Sequence, residues 1–508
     1  MSATTDDRAW WQRGVVYQIY PRSFADGSGD GIGDLSGVLA HLDHLRWLGV
    51  DALWLSPIFP SPMADFGYDV ANYTDVDPVF GTLEHFDTLL DAADRRGLRV
   101  LLDWVGNHTS DRHPWFMASR GSRDNPYRDW YIWRDEPNNW RRAFDDGPAW
   151  TLDARTGQYY LHHFLPQQPD LNWNNPAVRQ AMHDVLRFWL DRGVDGFRAD
   201  VVHLIGKDPD LPDDPDDRVG SRVGWHTDSR TYEWLREIRE VLDGYPGDRV
   251  MVGEINVPDP VEVSAHTGED QLHLAFYFAL TRAPWDAGAF RSAIAGIEAA
   301  TLARDVWPGL VLSNHDQSRH RTRYGGEERR ARVAATVLLT LRGTPFLYAG
   351  EELGLEDATV PADQQVDPGG RDPQRAPIPW TPDPGHGWEG TPWLPWPPEP
   401  DRRNAASQRR DTGSIAGLYR RLLHLRRDDA TLHAGALELR DAPDGLLAYD
   451  RVGASGLRRV LANFTDEPAA VPDDGRWQVL LSTARARDGE AFDGTLPGTT
   501  AVVLAPAD

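Results

Sequence analysis

The chain contains no cysteine and a single lysine, Lys207, among its 508 residues. Without cysteine there are no disulfides, no thiolate metal sites and no thiol nucleophile. Positive charge is scarce as well: 53 Lys and Arg stand against 78 Asp and Glu, a formal net charge of −25. Such a polyanion repels phosphate backbones and anionic membranes, which argues against nucleic-acid or lipid-surface partners and favours a neutral small-molecule substrate. Long apolar runs are missing too. The longest tract, residues 333–350, is broken by Arg342, Gly343 and Pro345, so no bilayer span is expected. The N-terminal Met-Ser-Ala-Thr-Thr-Asp-Asp lacks a basic region followed by an apolar stretch, so no secretory signal and a cytoplasmic location are expected. No serine sits in a G-x-S-x-G nucleophile-elbow context.

What is present reads as a large, soluble, folded protein: 40% of residues are hydrophobic and 26% charged. Twenty-one tryptophans suit either a large core or the apolar faces of sugar rings. Short β-branched runs alternate with longer amphipathic stretches, the rhythm of repeated βα units around a parallel sheet. Eight strands are expected near residues 15–20, 52–55, 100–105, 196–201, 250–254, 274–278, 309–312 and 345–348, with helices between them, which closes as a (β/α)8 barrel. The third and fourth strands start far apart, so residues 106–170, rich in Trp, Asn, Pro and Tyr, are read as a small domain inserted in the third βα loop. The barrel then comprises residues 1–105 and 171–430. Residues 360–402 hold twelve prolines and four tryptophans, too many large aromatics for a linker, and are expected to pack as a loop excursion beside the cleft. Residues 431–508 read as a C-terminal antiparallel β-domain.

In such barrels the reactive groups lie at the carboxyl ends of strands. Four of those ends are unusually polar: DWVGNH (residues 103–108), GFRAD (196–200), VGE (252–254) and SNHD (313–316). They bring Asp200, Glu254 and Asp316 towards one mouth. Two carboxylates facing each other across a cleft suit glycosidic cleavage, in which one attacks the anomeric carbon and the other protonates the departing oxygen. Asp200, two residues from Arg198 on an extended strand, is expected to stay ionised and act as nucleophile. Glu254 follows the apolar Val250-Met251-Val252-Gly253 with no adjacent cation, which favours a raised pKa and an acid/base role. Asp316 would hold sugar hydroxyls as positive charge develops on the ring, with His108 and His315 donating hydrogen bonds.

These motifs resemble the four ordered motifs of glycoside hydrolase family 13, the α-amylase family. VVYQIYPRSF, GDGIGDLSG, GYDVANY, QPDLNWNNP, FLYAGEELG and GGRDPQRAPIPW are similar to its α-glucosidase and oligo-1,6-glucosidase branch, over about residues 9 to 430. The resemblance implies Asp200 as nucleophile, Glu254 as acid/base and Asp316 as transition-state stabiliser, with Arg198, His108 and His315 around the reacting glucose and Tyr68 as its stacking floor. It implies that Asp69 and Arg375 hold the non-reducing-end glucose, which makes such enzymes exo-acting on short chains, and that Asp103 organises the barrel core. Val201 resembles the oligo-1,6-glucosidases, whereas Ile255 and Asn256 depart from related branches; α-1,4 and α-1,6 linkages both stay open.

In DGSGDGIGD the side chains of Asp26, Ser28, Asp30 and Asp34, with the carbonyl of Ile32, fall at alternate positions suited to a hard cation. The twelfth position of that loop is Gly37 rather than a bidentate Glu, which excludes an EF-hand sensor. Similar family members bind Ca2+ here, and Mg2+ fits the same spacing. No organic cofactor is expected. The expected activity is that of an exo-acting retaining α-glucosidase releasing glucose from short α-glucosides. One rival passes the same covalent intermediate to another acceptor, as a transglucosylase or as a disaccharide isomerase of the sucrose isomerase or trehalose synthase type. A second, a non-catalytic barrel scaffold like the transporter heavy subunits, would have lost the acids and gained a membrane helix.

Overall fold

A computed structural model describes residues 8–215, 230–471, 475–484 and 487–507; the acidic N-terminal segment read for signal character lies outside them. All eight expected strands form: β1 (Val16–Ile19), β2 (Ala52–Leu55), β3 (Arg99–Trp104), β4 (Gly196–Ala199), β5 (Val250–Gly253), β6 (Leu274–Tyr277), β7 (Gly309–Val311) and β8 (Thr344–Tyr348). They pair in parallel and close as a barrel, with β1 bonded to both β2 and β8. Because alternate residues of a strand face opposite ways, each strand serves two cores. Val16, Ala52, Trp54, Leu101, Val252, Phe276 and Phe346 belong to one buried cluster inside the barrel. Tyr17, Leu53, Val100, Phe197 and Met251 belong to the larger cluster shared with the surrounding helices.

Local chemistry sets the helix ends. Asn175 and Pro176 open the helix Pro176–Asp191, with the Asn175 side chain accepting from the Ala177 amide. Ser414 caps the helix Ile415–Asp428 in the same way. The helix Leu35–Leu48 stops at Gly49, whose φ of 104° is open to glycine and whose N–H returns to Leu45.

Between β3 and β4 the chain builds a small antiparallel sheet from Trp133–Arg134, Gln158–Leu161 and Trp150–Asp153. Beyond β8, the proline-rich excursion is packed rather than free. Trp380 is buried, donates to the Phe24 carbonyl at 2.7 Å and stacks on His41 at 3.6 Å. Trp388 is buried and donates to Ile378, and Trp393 donates to Ser23 Oγ. The C-terminal region is a five-stranded antiparallel sheet with Leu446–Gly453 and Gly456–Asn463 near its centre. Buried Arg451 ties it to the barrel, donating to the carbonyls of Thr340, Leu432 and Gly435. Among the described residues, no helix is long and apolar enough to cross a membrane.

If the excursion is part of the core, Trp380→Ala removes a buried indole and should destabilise the protein by about 3–5 kcal/mol. Thermal and chemical unfolding would read this as a clearly lowered midpoint; an unchanged midpoint would mean the excursion is held independently of the barrel.

Candidate active site

The carboxyl ends of the barrel strands surround a cavity of about 650 Å3, lined by Asp200, Glu254 and Asp316 together with Asp65, Tyr68, His108, Gln168, Val201, His203, Phe278 and Arg371. Its organising group lies just beneath the floor. Arg198 is 1% exposed and faces Asp103 of β3 and Val252 of β5 in the parallel register. Its Nη1 donates to Asp103 at 2.6 Å and to Asp200 at 2.7 Å, and its Nη2 donates to Glu254 Oε2. Asp200 and Glu254 thus each give one oxygen to the same guanidinium.

This corrects two local expectations. Glu254 does have a cation beside it; Arg198 arrives from the neighbouring strand, where spacing along one segment cannot reveal it. Asp200 does meet Arg198, but burial pushes its carboxyl well above the usual range, with Glu254, Asp103 and Asp316 adding to the push and Arg198 opposing it. Asp103 likewise is raised to about 6 by burial against the pull of Arg198. One cation serves three buried acids, so the cluster favours retaining a proton.

Asp316 differs. Against the cost of its burial, His315, Arg371 and Arg375 hold it well below the usual carboxylate range. Arg371 Nη1 and Arg375 Nη2 both donate to its Oδ1 at 3.0 Å. His315 is fully buried and kept neutral, its pKa well below the ordinary value through desolvation. Gln18 donates to its Nδ1 at 2.8 Å, which leaves the proton on Nε2, 2.6 Å from Tyr68 Oη and 3.2 Å from Asp316 Oδ2. Tyr68 passes its own proton towards Asp103 at 3.1 Å and stacks on the His315 ring. His108, lowered to about 4 by burial, lines the same cavity on the side of the inserted sheet.

The expected pair Asp69 and Arg375 is placed differently. Asp69 is 0% exposed and turned into its own loop, accepting from Ser61 Oγ and from the Ala64 and Asp65 amides at 2.9 Å. Arg375, also fully buried, spends its donors on the His315 carbonyl, Asp367 and Asp316. The residues that line the cavity are their neighbours, Asp65 and Arg371, joined as an ion pair. Phe66 and Met63, flanking Asp65, have φ of 44° and 64°, and Phe66 packs with Arg22 and Trp393. That bend turns Asp65 inwards and leaves Asp69 outside. Two aspartates four residues apart, and two arginines with the same spacing, gave the sequence no basis for choosing. Gln168, which donates to Asp65 Oδ2 at 2.9 Å, was not anticipated either.

In the glycine-rich turn the carboxylates face backbone amides. Asp26 Oδ1 accepts from the Gly29 amide at 2.6 Å, and its Oδ2 from Gly31 and Gly390. Asp30 accepts from the Ile32 amide, and Asp34 caps the helix Leu35–Leu48 through Gly37. Ser28 Oγ reaches only Asp26. These acids satisfy their own turn, and among the described residues no three acidic or imidazole groups gather to hold a metal. As arranged, the carboxylates of the turn are bonded to its backbone amides, and no chemical step runs through a cation there.

The alpha amylase catalytic domain model matches residues 18–435, and a domain of unknown function matches residues 433–503. The chain belongs to the α-amylase family. Within glycoside hydrolase family 13 it is 41% identical to a probable alpha-glucosidase of Rhizobium meliloti (strain 1021), with 91% of each chain covered. It is 38% identical to the oligo-1,6-glucosidase of Parageobacillus thermoglucosidasius, again with 91% of each covered. A solved structure of an alpha-glucosyl transfer enzyme, XgtA, matches with a TM-score of 0.92 at 39% identity, covering 99% of this chain and 100% of that one. This family 13 enzyme is therefore of the glucosidase type.

Arg198 yields a direct test. Arg198→Met leaves three buried carboxyls without their shared cation and should cost about 3–5 kcal/mol of stability. Adding Asp103→Asn should recover part of that loss in thermal unfolding. A single variant as stable as the parent would show that the guanidinium does not hold the cluster.

Proposed function

We propose that this family 13 enzyme is an exo-acting retaining α-glucosidase that releases glucose from the non-reducing end of short α-glucosides, linked α-1,4 or α-1,6. The observation that carries this reading is the pair Asp200 and Glu254, both hydrogen-bonded to Arg198 and both lining one cavity that also holds the Asp65–Arg371 ion pair.

In this reading Asp200 attacks the anomeric carbon while Glu254 delivers a proton to the leaving oxygen. Glu254 then takes a proton from water as water attacks the glucosyl ester. The first step needs Asp200 ionised, and the Arg198 guanidinium bonded to it is the group that favours that form against its burial. As positive charge grows on the sugar ring, ionised Asp316 stabilises it. Neutral His108 and His315 offer hydrogen-bond donors without adding positive charge that would oppose the oxocarbenium. Asp65 and Arg371 supply a paired acceptor and donor for the hydroxyls of a terminal glucose, and Tyr68 a flat face beneath it.

Similarity to an alpha-glucosyl transfer enzyme supports a second reading, in which a sugar rather than water receives the glucosyl group. The outer cavity is compatible with either, because Val257, Pro258 and Phe278 beside Asn256 and Gln317 present both apolar and polar surface to an acceptor.

Incubation with maltose, isomaltose, sucrose and trehalose, followed by chromatography of the products, separates the readings. Glucose release from at least one of them is expected; exclusive formation of a rearranged disaccharide would replace hydrolysis with isomerisation. Asp65→Asn and Arg371→Met should each lower kcat/KM on the cleaved disaccharide by about a hundredfold or more, since buried polar partners of sugar hydroxyls are left unmatched. Unchanged kinetics would place the terminal glucose elsewhere.

A further inference from the structure

Just beyond Asp200 the chain bends sharply, at a residue ill suited to the bend. Val201 has φ 33° and ψ 42°, a left-handed conformation in which a β-branched side chain is an outlier. Glycine would adopt it without steric cost. Strain of this kind persists only where surrounding contacts fix it, and it gathers where geometry serves function. The contacts are local and specific. The Asp200 amide donates to the Trp104 carbonyl on β3 at 3.0 Å, and the following turn, Val202–Leu204, closes with the Leu204 N–H returning to the Val201 carbonyl at 2.9 Å.

Three successive residues of this turn reach the strand end that carries Glu254. The Val201 N–H donates to Glu254 Oε2 at 3.3 Å. Val202 packs against the same strand end: a Cβ built on Gly253 would lie 3.0 Å from its Cγ1. The His203 Nδ1–H donates to the Glu254 carbonyl at 3.3 Å. Glu254 Oε2 is therefore held twice, by Arg198 and by the Val201 amide, while its Oε1 makes no hydrogen bond among the described residues.

We propose, on the reading of Glu254 as acid/base, that Val201 is a positioning residue whose left-handed bend aims its amide at Glu254 and so fixes the proton-donating carboxyl relative to Asp200. The bend determines which way the amide points. The valine side chain, buried in the cavity wall, packs the strained turn in place.

The test compares Val201→Gly with Val201→Ala. Both lose the branched side chain that packs the turn, but only alanine keeps the steric penalty of the left-handed bend, so their difference reads the bend itself. Two substrate types separate positioning from a general structural role. A disaccharide has a poor leaving group and needs the proton from Glu254, whereas α-glucosyl fluoride departs with little acid assistance. Relative to Val201→Gly, Val201→Ala should lose about tenfold or more in kcat on the disaccharide with little change in KM. On α-glucosyl fluoride the two variants should agree within about twofold. Equal kinetics on the disaccharide, or an equal loss on both substrates, would overturn the proposal. If the parent enzyme cleaves neither substrate, the glucosidase reading itself fails, and the outcomes stay distinct. Circular dichroism of both variants shows whether each is folded; if Val201→Gly does not fold, Val201→Asn, which tolerates left-handed backbone better than valine, takes its place on the same criteria.

Discussion

One buried guanidinium holds this site together. Arg198 bonds Asp103 below it and Asp200 and Glu254 above it. It can do so because the parallel register of β3, β4 and β5 sets residues 103, 198 and 252 side by side. A buried ion cluster of this kind is not a source of net stability, since desolvating the charges costs as much as their attraction returns. Its value is geometric. Each reacting carboxyl has one oxygen fixed and the other available, and the pair faces one cavity.

Around this cluster the protein divides its charges. Asp316 has arginines on one oxygen and a neutral histidine near the other, so it stays ionised. Asp103 and Asp200, with one cation among three acids, are pushed the other way. Two environments around one cavity thus give carboxyls of opposite tendency: Asp316 keeps the charge that steadies a cation, whereas Arg198 has to offset the burial of Asp200. The aromatic stack of Tyr20, Tyr68 and His315 backs this arrangement, and the excursion carrying Arg371 and Arg375 is fastened to the barrel through Trp380 and Trp393.

The barrel was legible because period and length both spoke for it: β2 begins and ends where its apolar run does, and the other seven strands differ by a residue or two at their ends. The four polar strand ends were legible for the same reason, as the fold delivers any such residue to one mouth. What the sequence could not disclose were relations across strands and within bends. The cation beside Glu254 sits 56 positions away in the chain. The choice between Asp65 and Asp69 was made by left-handed backbone at Met63 and Phe66, which no spacing rule encodes. The turn at residues 26–34 carried a cation-like spacing, but its carboxylates are taken up by backbone amides.

Covalent trapping tests the account most directly. A 5-fluoro-α-glucosyl fluoride forms the glycosyl ester faster than it is hydrolysed, so mass spectrometry of peptides from the inactivated enzyme locates the nucleophile. The account predicts one added fluoroglucosyl group, carried by Asp200. A label on Glu254 or Asp316, or turnover with inversion and no label at all, would contradict it.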